Sequence, residues 1–415
     1  MIATLSPERR TRALEFGIYR DGDNNLDDIQ SIVLDQAIEV SAKQPSIEFT
    51  VEDTDMVDTE DTLATRSYRL DDGQEFGFKE SPMHDMSSRA NLAQFVARTL
   101  DNAEKAGAKE TWIDLVDHGA GDGGGLEADH AGGGPPTPGG RHVGIMREDD
   151  MAGAIADGVA LHAKGHPEDA GRRVDGVVAN QCLMATLGFS SALSHAGVRY
   201  LAASPETMLA PGVPSEVAID IAAHTGDPAA MARGVVDRVM ETRYFPSNGD
   251  WSPAAAFDVL DLDPKKTASI ESGVENLDRA LVAAARDRSA RAAIREDAKA
   301  IDGMVRFPKG RHLPWRADRP ALALYDTFAE DGRLSGSVRS AAQAASAAIR
   351  QTVLAHRESG DFAPFADADY GDAVGPTVHF PVNGAQIDPW APKISETDNA
   401  FYKAVGADEL SKVVA

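Results

Sequence analysis

The sequence predicts an α/β protein in which a largely parallel central sheet is covered by helices on both faces. Short, near-continuously apolar segments alternate with longer segments of helical periodicity between residues 14 and 203, as in a parallel sheet with crossover helices. The remainder is rich in Ala and favours helices. Apolar residues make up 42% of the 415 residues, which is enough to build a substantial core.

Strands and helices are predicted to alternate along the first half of the chain. The strands are expected at 14–19, 47–51, 63–70, 111–117, 174–179 and 198–203. The helices are expected at 26–42, 87–106, 146–163 and 184–195. Residues 119–142 are rich in Gly and Pro, so we expect a surface loop without regular structure there.

The second half is predicted to be mainly helical. Long Ala-rich stretches occupy 226–243, 262–302 and 334–358, and late strands are expected at 254–260 and 377–380. We therefore predict a sheet domain over residues 1–260 and a helix-rich region over 261–415. The second region is expected to return its late strand, 377–380, to the core.

The charge of the chain restricts its partners. The sequence contains 41 basic and 66 acidic side chains, a net charge of −25, which repels phosphate backbones and anionic lipids. We therefore expect no direct nucleic-acid partner and no membrane association, and no apolar stretch is long enough to span a bilayer. The N-terminus shows no apolar segment of a secretory signal, which predicts a cytoplasmic location.

Cys182 and His118 are the candidate catalytic residues. Cys182 is the only cysteine, which excludes an internal disulfide and zinc sites built from several thiolates. Each of the two residues follows a predicted buried strand, and the carboxyl ends of parallel strands form the ligand-binding edge of such sheets. A thiolate there is a nucleophile, an imidazole can exchange its proton, and the N–H groups of Gly119 and Cys182 can stabilise an oxyanion.

Each of these residues has a simpler interpretation when it is taken alone. A cysteine at a strand end is commonly a small buried hydrophobic residue, and a His-Gly pair is commonly part of a loop. Their combination favours chemistry, because the two residues follow separate apolar strands and are 64 positions apart, room for a crossover helix.

Several motifs resemble those of the clostripain-like cysteine peptidases. Phe16–Leu26 resembles the opening strand and polar turn of that family, Asp117–Gly121 its histidine motif, and Asn180–Met184 its cysteine motif. Further matches, in the same order as in the family, lie at 203–206, 211–212, 254–260 and 374–381. The similarity is most specific at the histidine and cysteine motifs.

The resemblance implies a fold and an activity. The implied fold is a caspase-like three-layer sandwich with a helix-rich C-terminal extension. The implied activity is that of an endopeptidase acting on proteins or peptides through a Cys–His dyad, with Cys182 as nucleophile and His118 as acid/base. No third residue is required in that clan, so Asp117 receives no catalytic role, and no cofactor is required.

The resemblance also implies a pocket for the residue before the cleaved bond, with one departure. Family members typically cleave after Arg or Lys, because carboxylates in this pocket pair with the cation. The family usually has Asp two positions before the cysteine, where this chain has the neutral Asn180. Glu206 is the nearest motif-matched acid, so Asn180 and Glu206 are the candidate pocket residues, and cleavage after Arg or Lys is the leading expectation.

Enzymes of this family are often matured by a cut between the histidine and cysteine motifs. Arg141, Arg147 and Lys164 are the candidate cleavage positions in that interval. Arg141 ends the Gly/Pro-rich segment, where backbone is accessible to proteases, so we expect processing within 119–147. An uncut loop that covers the active site is the alternative.

We predict no metal-ligand set from the sequence. The acidic run at 21–27 has EF-hand spacing at first sight, but Leu26 stands where Gly is needed and Ile32 where Glu is needed. Its acids are expected to cap the following helix. Some relatives bind calcium, so the resemblance allows calcium as an additional ion. His130 and His142 lack the close spacing of a metal site.

Two other functions remain open at this point. One is a catalytically silent binding module that keeps the sandwich, and the Asn180 replacement gives it weight. The other is a non-peptidase hydrolase that uses the same cysteine. For a peptidase without an export signal we expect processing of a partner protein, which leaves room for a regulatory partner.

Overall fold

The computed structural model describes residues 11–24, 26–57, 62–128, 144–244, 252–301, 318–359, 374–380 and 399–414. Within these ranges the strands are β1 Leu14–Asp21, β2 Ile47–Val57, β3 Thr62–Asp71, β4 Gln74–Pro82, β5 Glu110–Val116, β6 Gly125–Ala128, β7 Gly144–Met146, β8 Gly176–Asn180, β9 Tyr200–Ala203, β10 Ala256–Asp261, β11 Asp318–Pro320, β12 Val353–Glu358 and β13 Thr377–His379. The helices are α1 Asp27–Gln30, α2 Ile32–Lys43, α3 Arg89–Ala106, α4 Glu148–Gly165, α5 Leu187–His195, α6 Val217–Ala223, α7 Pro228–Glu241, α8 Pro264–Ala284, α9 Arg288–Ala300, α10 Ala321–Glu330, α11 Gly336–Arg350, α12 Ala400–Val405 and α13 Ala407–Val414.

A central sheet of nine strands organises the described residues, in the order β12-β10-β9-β8-β5-β1-β2-β3-β4. The five middle strands, β9, β8, β5, β1 and β2, are parallel, and antiparallel strands extend the sheet at each end. The parallel strands are buried apolar segments, as expected when helices cover both faces. The predicted mostly parallel sheet is confirmed.

Helices pack against both faces of this sheet. Alternate residues of β1, including Phe16 and Ile18, contact α2, α6 and α7 on one face, since successive side chains of a strand point to opposite faces. The intervening strand residues, such as Ile113 and Leu115, contact α3, α4 and α5 on the other face. The predicted three-layer arrangement is therefore confirmed.

The hairpin of β3 and β4 was only half predicted. Its second strand is exposed at nearly every position, so it carries no pattern of burial for the sequence to display. The turn residues Asp72 and Gly73 both have positive φ, 48° and 73°, which fits the Asp-Gly turns of two-residue hairpins. That dipeptide was the available signal for β4.

Regular structure extends into the predicted Gly/Pro-rich loop. A short 3-10 turn covers Gly121–Gly123, and β6 pairs with β7 across the segment. The expectation of no regular structure over 119–142 is therefore wrong for residues 121–128. Glycine lacks a side chain but keeps its backbone N–H and C=O groups, and these form the turn and the strand pair. Residues 129–143, with Arg141, His130 and His142, lie outside the described residues.

The C-terminal region forms a further apolar cluster of its own. Helices α8 to α13 bury residues such as Leu277, Tyr325 and Phe328 against one another, and α8 also contacts α5 of the sheet layer. A strand forms at the predicted late position as β13, which is buried, pairs with β11 and bridges to Thr186. The place beside β10 is taken by β12. The domain boundary at residue 260 stays a prediction.

None of the described helices is both long enough and apolar enough to cross a bilayer.

Candidate active site

His118 and Cys182 leave the sheet at the same edge. Strands β5 and β8 are parallel neighbours, and Val116 pairs with Asn180. His118 comes two positions after Val116, and Cys182 comes two positions after Asn180. Asp117 still donates its backbone N–H to the carbonyl of Asn180, at 3.3 Å, so pairing continues to the last residue before His118. Both side chains are half-buried at this carboxyl edge.

Gly119 brings the histidine loop against the cysteine loop. A Cβ atom placed on Gly119 would lie 2.2 Å from the carbonyl oxygen of Cys182 and 3.0 Å from its backbone nitrogen. No side chain fits at such a distance, so glycine is required by close approach of two backbones. The two segments predicted to carry the dyad therefore touch.

The thiol of Cys182 contacts a third segment, which follows β9. The backbone N–H of Met208 donates to Sγ at 3.3 Å, and the thiol donates to the carbonyl oxygen of Met208 at 3.6 Å. The first bond favours the thiolate and the second favours the thiol, so the pair fixes the position of the sulfur and does not select its protonation state. Met208 itself is held by an antiparallel bridge to Ala254.

The turn after Cys182 has an unusual backbone. Leu183 has φ of 68°, in the left-handed region that a non-glycine residue enters at a cost of about 1–3 kcal/mol. Its N–H donates to the carbonyl of Glu206 at 3.0 Å, and Ala185 donates to the carbonyl of Ser204 at 3.0 Å. These bonds to the segment after β9 hold the turn in that conformation.

Both polar atoms of the Asn180 amide bond to the backbone of one residue. Its Nδ2 donates to the carbonyl of Val213 at 3.1 Å, and its Oδ1 accepts the N–H of Val213 at 2.7 Å. An amide matches both groups of a peptide unit, whereas a carboxylate could not donate to the carbonyl. The departure from the family's Asp thus has a structural reason: Asn180 supports the turn at 212–213.

Asp114 is an acid that the sequence reasoning missed. It lies in the middle of β5, where residues 112, 114 and 116 share one face of the sheet, and it is 1% exposed. Neither of its carboxylate oxygens makes a hydrogen bond among the described residues. Burial raises the pKa of Asp114 well above its ordinary value, and the neighbouring Asn180 amide opposes that rise. The sequence did offer a signal for this residue, because an acid between the apolar residues Ile113 and Leu115 of a predicted buried strand is unusual.

Glu206, the second predicted pocket residue, is also buried. Its backbone N–H donates to Oγ of Ser204 at 3.0 Å, and its carbonyl oxygen accepts the Ser204 hydroxyl at 2.8 Å. The segment that carries Glu206 is thereby fixed beside the turn that follows Cys182.

The candidate processing positions differ in their surroundings. Arg147 directly precedes α4, whose first residue Glu148 is buried and contacts the hydroxyl of Thr186, four positions after the cysteine. Asn399 also donates to Glu148, at 2.8 Å. Lys164 is exposed in the last turn of α4.

The acidic run at 21–27 does not cap α1 as expected, because the N-cap residue is Leu26 and no side-chain cap hydrogen bond forms there. Asp27 bonds to Arg20, and Asp21 accepts the N–H of Asp23 at 3.0 Å, so these acids fix the turn before α1. Burial raises the pKa of Asp21, and the charges of Asp23 and Asp85 add to the rise. Within the described residues, these acids do not form a group of three converging ligands. Calcium binding stays a prediction.

Comparison with solved structures settles the fold. A secreted C11 cysteine protease from Bacteroides thetaiotaomicron, in complex with an irreversible peptide inhibitor, superposes with a TM-score of 0.63 at 12% identity. The match covers 96% of this chain and all of that one. The chain has the fold of the C11, or clostripain-like, cysteine proteases. The predicted caspase-like sandwich and the resemblance are thus confirmed at the level of fold.

Two further C11 structures agree with this result. One is of a secreted protease from the same bacterium, iotapain, with a TM-score of 0.54 and 13% identity over 95% of this chain and 99% of that chain. The other is of an inactive zymogen from Parabacteroides distasonis, with a TM-score of 0.55 and 14% identity over 95% of this chain and 98% of that chain. No family model matches the sequence. No curated protein matches it either.

These comparisons correct the expected location. The prediction of a cytoplasmic protein is wrong, because two of the similar structures are of secreted proteases. That prediction depended on the missing signal segment, and the start of a sequence does not reveal a leader that precedes it.

Proposed function

We propose that this protein is a cysteine peptidase in which Cys182 is the nucleophile and His118 the acid/base. The observation that carries the proposal is the contact of Gly119 with the backbone of Cys182, at the carboxyl edge of a sheet with the C11 fold. The two hydrogen bonds between Met208 and Sγ support it, because they hold the sulfur in position at this edge.

The reaction would proceed by acyl transfer. His118 takes the thiol proton, and the thiolate adds to the carbonyl carbon of the scissile bond. The N–H groups of Gly119 and Cys182 stabilise the resulting oxyanion. His118 then gives its proton to the leaving amine, which leaves a thioester on Cys182. Water, deprotonated by His118, hydrolyses the thioester and restores the thiol.

Cleavage after Arg or Lys is proposed with a different source of charge from the family's. Asn180 holds Val213 and supplies no charge. Glu206 is the motif-matched acid, and Asp114 is a buried acid beside Asn180 without a hydrogen-bond partner among the described residues. A cationic side chain in this pocket would pair with these carboxylates.

Processing is proposed between the two motifs, with Arg141 and Arg147 favoured over Lys164. Peptidases bind extended backbone, and Lys164 lies in a regular helix that would have to unwind first. Arg147 precedes a helix whose first residue contacts Thr186, so this end of the segment is anchored near Cys182.

Labelling by peptide electrophiles tests the function. We expect an irreversible peptide electrophile with Lys or Arg beside its reactive carbonyl to attach once to the wild-type chain, at Cys182. The mass of the chain should rise by that of one bound inhibitor. The variant Cys182→Ala should not be labelled, and His118→Ala should react at least about a hundredfold more slowly, a typical loss for an acid/base residue. Peptide mass spectrometry maps the adduct, and the same spectra show cuts after residues 141 or 147.

The controls separate the rival functions. A silent binding module would not react selectively at Cys182, and a non-peptidase hydrolase would turn over small esters but not peptides. Equal labelling of His118→Ala and wild type would contradict the dyad. Cuts that persist in Cys182→Ala would exclude self-processing. An electrophile with a neutral side chain that reacts as fast as the Lys form would exclude basic selectivity.

A further inference from the structure

A cluster of two histidines and three acids lies away from the candidate active site. His162 and His166 stand four positions apart at the C-terminal end of α4, which presents them on one face. Asp101 and Glu104 come from the C-terminal end of α3, and Asp169 from the short turn Pro167–Asp169. We call these five residues the two-histidine cluster.

Short contacts already join the members of this cluster. Nδ1 of His162 lies 2.7 Å from Oδ1 of Asp101, and Nε2 of His166 lies 3.4 Å from the same oxygen. Nδ1 of His166 lies 2.7 Å from Oε2 of Glu104. Asp101 is therefore shared by both imidazoles.

One nitrogen of the cluster points to a ligand. The side chain of His162 is 0% exposed, yet its Nε2 makes no hydrogen bond within the described part of the chain. The Asp169 carboxylate lies 3.5 Å from this nitrogen, outside hydrogen-bond geometry, and also contacts Arg172. A buried polar atom without a partner costs stability, so such atoms are normally satisfied.

We propose that the two-histidine cluster binds a divalent transition metal of the zinc class. Ligand atoms of Asp101, His162 and His166 lie within 4.8 Å of one another, and so do those of Glu104, His162 and Asp169. Zinc holds nitrogen and oxygen ligands at about 2.0–2.2 Å, so small movements bring such atoms into coordination. Two imidazoles with carboxylates suit zinc, whereas calcium prefers oxygen ligands alone.

The required adjustment falls on His166. The two rings are stacked, with centroids 5.0 Å apart, and parallel rings do not aim their nitrogens at one point. His166 is 29% exposed and lies just after the last helical residue, so its ring can turn toward the nitrogen of His162.

The position of the cluster defines what the metal would do. Helix α4 has 18 residues and is therefore about 27 Å long, and the cluster lies at the end opposite Glu148 and Thr186. A metal there would tie α3 to α4 and stabilise the fold without entering the reaction at Cys182. The inference is independent of the proposed peptidase activity.

Zinc titration of the Cys182→Ala variant tests the proposal, since the thiol is then excluded as a ligand. We expect calorimetry of metal-free protein to show one zinc per chain and thermal unfolding to shift upward with zinc. Calcium chloride should give no comparable shift. His166→Gln removes a ligand, and Asp101→Asn removes the carboxylate that orients the His162 ring through Nδ1, so each variant should weaken zinc binding at least about tenfold.

His195→Gln is the matched control. His195 is 67% exposed and lies 3.4 Å from the acid Glu271, so it offers the same chemistry outside the cluster. Its zinc affinity should equal that of the Cys182→Ala parent. The proposal is overturned if the parent binds no zinc, or if His166→Gln and Asp101→Asn both bind zinc as tightly as the parent.

Discussion

Two buried ionisable side chains on the same face of the sheet have opposite surroundings. Arg20, near the end of β1, bonds to Asp53 at 2.5 Å and to Asp27 at 2.9 Å. Asp114, in the adjacent strand β5, makes no hydrogen bond among the described residues. Both residues are almost completely buried. Arg20 has two ionic partners, whereas the group that opposes the pKa rise of Asp114 is the neutral amide of Asn180.

The difference separates a structural role from a functional one. Burial lowers the pKa of Arg20, but the attraction of Asp53 and Asp27 more than offsets it, so Arg20 stays charged. This network fixes the polar turn to the ends of β1 and β2. Asp114 fixes nothing of this kind, and burial raises its pKa. A buried acid that stabilises no other group fits the proposal that a cationic substrate side chain pairs with it.

Removing Arg20, the buried cation with two ionic partners, should lower the free energy of unfolding more than substitutions at Asn180 or Asp114. The variant Arg20→Met leaves two buried carboxylates without their cation, which typically costs about 3–5 kcal/mol. Urea unfolding at neutral pH measures the loss. Arg238→Met is the control, because Arg238 is 39% exposed and pairs with Asp220 at the surface, where a pair contributes about 1 kcal/mol or less. Similar losses in the two variants would contradict the structural role of Arg20.

The sequence was sufficient for the fold because strand burial and helical periodicity are local signals. Phe16, Ile18 and Trp112 each belong to a run that reads as a buried strand, and the connection lengths then favour a parallel sheet. Strand β4 was not predicted because its residues are exposed at nearly every position, so the strand has no buried face for a sequence pattern to mark.

The candidate site was only partly predictable from the sequence. His118, Gly119 and Cys182 follow strand ends, and the structure brings Gly119 against Cys182 as that position implies. The hydrogen bonds between Asn180 and Val213 join residues 33 positions apart, and no local sequence pattern predicts such a pair. The two-histidine cluster was missed for the same reason, because two of its acids, Asp101 and Glu104, come from a helix about 60 positions earlier in the chain.

Restoring the family's acid at position 180 should have the next largest effect. Asn180→Asp removes the donor to the Val213 carbonyl and places a second carboxylate beside Asp114, so we expect a loss of about 1–3 kcal/mol in thermal or urea unfolding. The double variant with Asp114→Leu should lose less than the single variant, because the like charge is gone. An equal loss with and without Asp114 would show that the two positions do not interact.

Removing the buried acid Asp114 should have the smallest effect on stability, and we expect a gain where the other two variants lose stability. Asp114→Leu replaces an unsatisfied buried acid by an apolar side chain, so we expect a gain on the order of 1 kcal/mol at neutral pH. Asp114→Asn is the companion variant of unchanged size. The same substitutions should slow labelling by the Lys or Arg electrophile relative to the neutral one, because a carboxylate of the pocket is lost.

The pH dependence of that gain identifies its cause. Burial raises the pKa of Asp114 in the folded chain above its ordinary value of about 4 in the unfolded chain. Below that value both states are protonated and the acid costs little. As pH rises, the unfolded chain releases the proton first, so wild-type stability falls relative to Asp114→Leu until the folded pKa is passed. The stability difference between the two proteins should therefore widen from acidic toward neutral pH. A difference that is constant with pH would mean that packing, not the buried charge, sets the cost of Asp114.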